Sequence, residues 1–546
     1  MPVKTIIERL LGKKRAALAQ PGRRMQAFGA FGEPCPTPNF EAGATGRRLG
    51  FFRPAAVHVN AAMELAGPTV LARARWLARN NGYAKNALEA WATSTVGAGI
   101  KPSSLIEDEE TLEAVQDAWN EWVDEADVEG VADFYSVMHR VSREVFLAGE
   151  CFVRFRPALP QNGLSVPLQL QVLPSEQLPW NGHYVEASNG FYDVVPEGFE
   201  NAGGDIRMGI EFDREVRDRR VAYWFYRSNP TDTTTPFRDL LYNEELVRIP
   251  ADEIMHVYDP VEAGQIRGTS GMAAAIVKLF QLDAFDDSEL ERQRQQSRYA
   301  TFITIPPESD ELGNILNGRP DDSDPTNWSP GQTVELHGGE DVKFAQPPAV
   351  GGTYEPFQYR TLLQVCAALG IPYAELTNDL QRTTYASSRA GLVSFRARIE
   401  AFQHNVLSFQ MLRPVWQRWL DYAVLGGAVP ISAAQYRADL AYWRAMKAIT
   451  PKVQWVDPLK DIQATILQLK ACLISPQDAI ESLGYDLKET YERIAEAKDL
   501  ESELGITPEY GTTSGGVGGG VSPGRAAGTP PVIPSEVEPD EGSAAA

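Results

Sequence analysis

The chain has no run of about 18 consecutive apolar residues, the length a helix needs to cross a bilayer. Its most apolar window, around Leu420 to Ile431, is interrupted by Gly426, Gly427 and Pro430. The amino terminus, MPVKTIIERLLGKKRAALAQPGRR, is basic but lacks an unbroken apolar stretch, so no secretory signal is expected. It reads as a basic arm over residues 1–54, with Ile6, Ile7, Leu10 and Leu11 on one side of a short amphipathic helix suited to docking on a neighbouring protein. The cysteines Cys35, Cys151, Cys366 and Cys472 form no C-x-x-C pair, which speaks against a zinc site and a disulfide framework. A reducing compartment, the bacterial cytoplasm, fits that usage, and Cys151 and Cys366 read as small buried hydrophobes.

Catalytic signatures are missing too. There is no G-x-x-x-x-G-K-[ST], so the chain is not itself a nucleotide-driven motor, and there is no H-E-x-x-H. The histidines at 58, 139, 183, 256, 337 and 404 lack metal-ligand spacing. Gly268-Thr269-Ser270-Gly271 lacks the G-x-S-x-G spacing of a nucleophile elbow, and Ser270 reads as a cap or loop residue starting a helix at Gly271. The acidic cluster Asp321-Asp322-Ser323-Asp324 reads as a solvated loop. No catalytic residue, metal site or cofactor is therefore assigned, and the chain is not expected to be an enzyme.

Positive charge is also in short supply. The formal net charge is −22, whereas a protein that grips duplex DNA carries a basic face that neutralises phosphates. Any contact with DNA must be weak, transient or confined to a small basic ring. Tight sequence-specific binding is disfavoured.

What is present is a succession of helical and strand patterns in a chain too long for one core. Ala55 to Gly97 reads as two packed helices broken at Asn80-Asn81-Gly82, with Trp76, Leu77, Tyr83, Leu88 and Trp91 as packing residues. EDEETLEAVQDAWNEWVDE is a clearer helix, with Leu112, Val115, Trp119 and Trp122 on one face and acidic residues at its start. A third helix runs from Phe134 to about Gly149. Short β-type runs follow at Glu150–Arg156, Leu168–Leu173, Val221–Arg227 and Ile254–Tyr258, giving an α+β region over 55–268.

A helix is expected from Gly271 to Ala300, with Ile276, Leu279, Phe280, Leu282 and Phe285 as its apolar part. A β-rich insert, Thr301–Gly352, follows: TFITIPP as a strand, and TVELHGGEDVKF as a hairpin pairing Val334 and Leu336 with Val342 and Phe344. Helix returns at Glu355–Leu369 and stops near Gly370-Ile371-Pro372. After the polar loop NDLQRTTYASS comes the longest helix, whose seam is Leu392, Phe395, Ile399, Phe402, Val406, Phe409 and Leu412. Pro414 predicts a kink or break. Pro458 to Ala497 is helical again, and residues 506–546 form a Gly/Pro-rich acidic tail expected to be disordered.

Four segments carry a resemblance to a known family. They are RARWLARNNGYAKNALEAWATSTVGAGIKP (Arg73–Pro102), FYSVMHRVSREVFLAGECFVRF (Phe134–Phe155), GQIRGTSGMAAAIVKLFQLDAFDDSELERQR (Gly264–Arg294) and LGIPYAELTNDLQRTTYASSRAGLVSFRARIE (Leu369–Glu400). In this order they resemble the lambda-like family of tailed-bacteriophage portal proteins. The resemblance implies a mainly helical α+β subunit of a ring, usually of twelve copies, with wing, stem, clip and crown.

Laid onto this chain, it implies a wing over 55–268, a stem helix over 269–300 and a clip over 301–352. A second stem helix over 353–376 and a tunnel loop over 377–386 come next. The long kinked helix and remaining wing occupy 387–457, and the crown helices 458–505. The tunnel loop places Asn378, Asp379, Leu380, Gln381, Arg382, Thr383, Thr384 and Tyr385 toward DNA.

The implied partners are other copies of the chain and double-stranded DNA passing without sequence specificity. Further implied partners are the terminase large subunit, head-completion or connector proteins, and the major capsid or scaffolding protein. The implied place is the portal vertex of the virion, after assembly in the host cytoplasm, and the implied role is genome packaging and ejection. A structural adaptor or minor capsid protein without a DNA channel is the alternative.

Overall fold

Helix boundaries in this chain are set by short polar side chains, as the computed structural model shows for residues 54–180, 205–216, 218–232, 234, 246–297, 302–304, 334–336, 354–381, 384–451 and 458–505. Helix α1 (Val59–Asn80) ends and α2 (Gly82–Val96) begins around Asn81, whose side-chain oxygen accepts the Ala84 amide at 2.9 Å. The strand β1 (Lys101–Ser104) leads to α3 (Glu109–Val123), where Asp108 caps the Thr111 amide at 3.0 Å and Glu109 and Glu110 face the positive end of the helix dipole. Asp133 does the same for α4 (Phe134–Ala148), which ends on Gly149 in the left-handed region, φ 93°.

That turn feeds directly into β2 (Glu150–Pro157), the centre of an antiparallel sheet ordered β3-β2-β8, with β3 at Leu168–Leu173. A second antiparallel sheet is built in the order of β4 (Asp205–Arg207), β5 (Ile210–Phe212), β6 (Arg220–Tyr226) and β7 (Leu246–Pro250). The strand β8 spans Ile254–Tyr258. Cys151, Phe152 and Val153 are all buried, so β2 is covered on both faces, as its unbroken apolar run requires.

Next comes α5 (Ile276–Ser297), five residues later than its expected start. Residues 271–275 are turns held by the Gly271 amide donating to the Phe146 carbonyl at 3.0 Å and by the Met272 amide donating to Ser270 Oγ at 3.2 Å. Strands β9 (Phe302–Thr304) and β10 (Val334–Leu336) pair in parallel. Val342 and Phe344, the expected return strand of a hairpin, lie outside the described residues, as does the rest of the insert.

The helix α6 (Tyr354–Leu369) stops as expected, but a further short helix, α7 (Tyr373–Thr377), follows the Gly370-Ile371-Pro372 break. Then α8 (Tyr385–Phe402), a π-helix (Gln403–Leu412) and α9 (Arg413–Gly426) run in succession. The backbone stays helical at Leu412 and Arg413, so Pro414 does not break it; it sits in the first turn of α9, where a missing N–H is tolerated. The chain continues through α10 (Ala433–Ala438), α11 (Leu440–Trp443), β11 (Met446–Ile449), α12 (Pro458–Lys470) and α13 (Pro476–Glu481). Contacts divide the chain into two units, Met1–Gly484 and Tyr485–Ala546, and the second holds α14 (Leu487–Leu504).

Three large apolar clusters hold the described residues of the first unit, beside a small one of Ile206 and Trp224. One stacks Trp119 and Trp122 of α3 against Trp416 and Trp419 of α9, with ring centroids 5.1–5.3 Å apart for Trp119 with the α9 pair. Another joins α1, α2, α5, α6, α7 and α8 through Leu77, Leu88, Leu279, Val365, Leu376 and Phe395. The third lies around Phe152, Tyr223, Phe225 and Trp180 between the two sheets.

The seam of the long helix follows its expected spacing through Phe395, Ile399, Phe402 and Val406, all buried. It departs at Phe409, which is 61% exposed while Leu407 and Met411 are buried; Leu412, the last seam residue, is buried as expected. The cause is the π segment, whose i→i+5 turns, such as the Arg413 amide bonding the Ser408 carbonyl, change the angular spacing of residues and so which of them face the core. Trp76, expected in the core, is 52% exposed.

Candidate functional site

The polar loop after α7 is fixed at both ends. Asn86 of α2 donates to the carbonyls of Glu375 and Leu376 at 2.7 and 2.8 Å, tying α7 to the second core. Asn378 ends α7 in the left-handed conformation, φ 57°, with its amide bonding the Ala374 carbonyl. Asn tolerates that conformation because its short polar side chain bonds locally. Asp379 accepts the Gln381 amide at 3.0 Å, an Asx turn, and its own amide donates to Thr377 Oγ1 at 3.2 Å.

At the far end, Thr384 caps α8 in a reciprocal capping box with Ser387. Gln381 and Thr384 are exposed, and Leu380 is 69% exposed. Tyr385 is the first residue of α8; its side chain, and the whole of Arg382 and Thr383, lie outside the described residues. The loop is therefore short, polar, held through its backbone, and has no buried side chain at Gln381 or Thr384.

A second constellation, which sequence reasoning did not identify as a cluster, is buried. Two of the family-like segments meet here: Gly149-Glu150 from the end of α4, and Arg267-Gly268 before α5. Arg267 is fully buried. Its Nε donates to Glu150 Oε1 at 2.7 Å, and its Nη1 and Nη2 donate to the carbonyls of Ser175, Leu178, Pro179 and Met208 at 3.1–3.3 Å. The guanidinium also stacks 4.0 Å from the Trp180 ring.

The other oxygen of Glu150 accepts the Gly268 amide at 2.8 Å and faces His256 Nε2 at 3.0 Å. Arg220 Nη1 lies 2.9 Å from His256 Nδ1. An arginine can only donate, so Nδ1 is the acceptor and the ring proton sits on Nε2, donated to Glu150. Burial would raise the Glu150 pKa, but Arg267 and His256 beside it hold it well below the usual carboxylate range. Burial pushes His256 down to about 4, with Arg220 adding to the effect.

The backbones touch as closely as the side chains. A Cβ at Gly268 would overlap the Gly149 carbonyl, and one at Gly149 would overlap the backbone of Thr269. The Arg-Gly-Thr-Ser turn is thus a packing device that joins α4, β2 and the approach to α5. Glu150, His256 and Arg267 each have structural partners for their polar atoms, whereas the indole N–H of Trp180 beside them is buried without one among the described residues. Of the cysteines, Cys151 and Cys366 are buried as expected, and burial pushes both thiols up. Among the described residues no group of three His, Cys, Asp or Glu side chains is placed to hold a metal ion, and no helix is long and apolar enough to cross a membrane.

The family described as phage portal protein, lambda family, matches residues 45–403. A probable portal protein of Halomonas phage phiHAP-1 is 24% identical over 467 residues, covering 81% of this chain and 82% of the relative. The portal protein of Escherichia phage N15 is 21% identical over 474 residues, covering 80% and 85%. Portal protein B of Escherichia phage lambda is 21% identical over 468 residues, covering 77% and 81%. Among solved structures, the chain is similar to a component of the neck of an empty GTA particle, at 14% identity and TM-score 0.36, over 81% of this chain and 98% of that one. With a family match across well over half its length, carrying all four of the segments described above, the chain belongs to the lambda family of phage portal proteins.

Proposed function

We propose that the chain is the repeating subunit of a ring at the capsid vertex, through which double-stranded DNA enters and leaves, and that residues Asn378–Tyr385 form its DNA-facing loop. The observation that carries the loop assignment is its construction: capped helix ends on both sides, a base tied to the second core, and exposed polar side chains between. Such a loop holds its position while offering only weak, sequence-independent contacts to phosphates.

Ring symmetry multiplies that contact. One Arg382 per subunit becomes a circle of arginines, while the body of a chain with net charge −22 stays repulsive to DNA. A duplex can then slide without being held. The work of translocation falls to the terminase large subunit, which docks on the ring together with head-completion and capsid or scaffolding proteins.

Within that reading, α5 and α6 are the two stem helices, the insert between them the clip, the region before residue 268 the wing, and the helices from Pro458 onward the crown. A helix, an insert and a returning helix are what a stem and clip need, because the chain must leave the body and come back. The protein would act without chemistry of its own, after assembly in the host cytoplasm. Electron microscopy of the purified protein tests the ring directly: closed rings with a bore wide enough for a duplex are expected, and monomers and dimers alone across a range of salt would overturn the reading.

A further inference from the structure

Two long helices of the first unit each carry a second face that the described residues leave uncovered. Helix α1 buries Met63, Leu71, Ala74 and Leu77 on one side. On the opposite side, Ala61, Leu65, Ala72, Trp76 and Arg79 fall on one stripe by helical spacing and are all exposed, Leu65 at 84%. Helix α5 likewise buries Ile276, Leu279 and Leu282, and exposes Val277, Phe280, Ala284, Asp287 and Glu291 in a 3-4-3-4 stripe, with Val277 and Phe280 each at 58%.

The two stripes are complementary. Each is apolar over its first turns; the α1 stripe then reaches Arg79, and the α5 stripe reaches Asp287 and Glu291, the latter also paired with Arg294 of its own helix at 3.8 Å. Parallel packing that sets Ala72 of α1 opposite Phe280 of α5 places Trp76 near Ala284 and Arg79 near Asp287, with Glu291 one turn beyond.

A closed ring is built from a heterologous contact, in which two different faces of one subunit meet the opposite faces of its neighbours. We propose that the exposed face of α1 in one copy packs on the exposed face of α5 in the next, with Trp76 and Phe280 as its apolar anchors and Arg79 facing Asp287 and Glu291 across the rim. This rests on the ring reading above. Large aromatics at the centre with charges at the edge is the arrangement that concentrates binding energy in protein interfaces.

The test uses the full chain. Trp76→Asp and Phe280→Asp, made separately, should each abolish rings in sedimentation and in electron micrographs while keeping the wild-type melting temperature, since both side chains are more than half exposed. Mixed in equal amounts, the two variants should form a capped heterodimer, because one intact α1 face and one intact α5 face remain. Arg79→Glu should reduce ring yield several-fold, and adding Asp287→Arg should restore it. Rings persisting in both aspartate variants, or no heterodimer on mixing, would overturn the interface while leaving the ring reading intact. A wild-type chain that never forms rings would instead overturn the ring reading, and this interface with it.

Discussion

The turn at Arg267 and the loop at Asn378–Tyr385 are both polar segments from the parts of the chain that resemble portal proteins, yet the structure treats them in opposite ways. At the turn, a guanidinium, a carboxylate and an imidazole are shut away from water and each finds a partner within 3.3 Å. In the loop, capping bonds hold the backbone and leave Gln381 and Thr384 at the surface. Buried charge fixes one geometry because any departure leaves an ion without solvent. Exposed polar side chains on a fixed backbone cost the fold little and are available to something outside it.

Substitutions break or sharpen this contrast, and the largest effects belong to the interior. Phe402→Asp places a charge at the junction of α8 and the π-helix, beside Trp91 with centroids 5.1 Å apart, and should prevent folding; soluble, assembled protein would show that the seam's register is misassigned. Next comes Arg267→Met, which leaves Glu150 buried without its cation and should cost about 3–5 kcal/mol in denaturant unfolding. A loss below about 1 kcal/mol would mean that water reaches the cluster.

Smaller is the effect of acid. The unfolded chain protonates His256 near its usual 6.5, whereas the folded chain refuses the proton until about 4, so stability is lost as pH falls through that window. Glu150, held below the ordinary carboxylate range, adds to the loss at still lower pH, because its stabilisation is complete only above the unfolded value. Melting temperature should therefore drop between pH 7 and 4 by the equivalent of about 2–3 kcal/mol for His256, and His256→Gln should flatten that slope. An unchanged slope in the variant would assign the acid sensitivity elsewhere. Least of all should Gln381→Ala alter stability, within about 0.5 kcal/mol, because the side chain is at the surface.

How much of this was legible in the sequence follows the range of the interaction. Asn81, Asp108, Asp133 and Gly149 act on neighbours a few positions away, and the helix boundaries they set agree with the pattern of residues. Phe409 was misjudged because a π-helix leaves no mark in a 3-4 spacing; packing selects it. Trp76 was misjudged because apolar spacing does not say which faces of a helix its own chain covers.

The buried cluster was unreadable for a different reason. Glu150 and Arg267 are 117 positions apart, and both looked like ordinary polar residues at turns. The glycines beside them, Gly149 and Gly268, were the one available signal of a close backbone approach. The polar loop was legible in NDLQRTTYASS itself, and only its proposed DNA-facing role came through the family resemblance.

The claim that DNA is met at one short polar loop is tested most directly by removing it. Particles assembled with a chain lacking residues 378–385 should contain intact portal rings but package or retain markedly less DNA than wild type. Normal packaging and retention by that deletion would contradict the account.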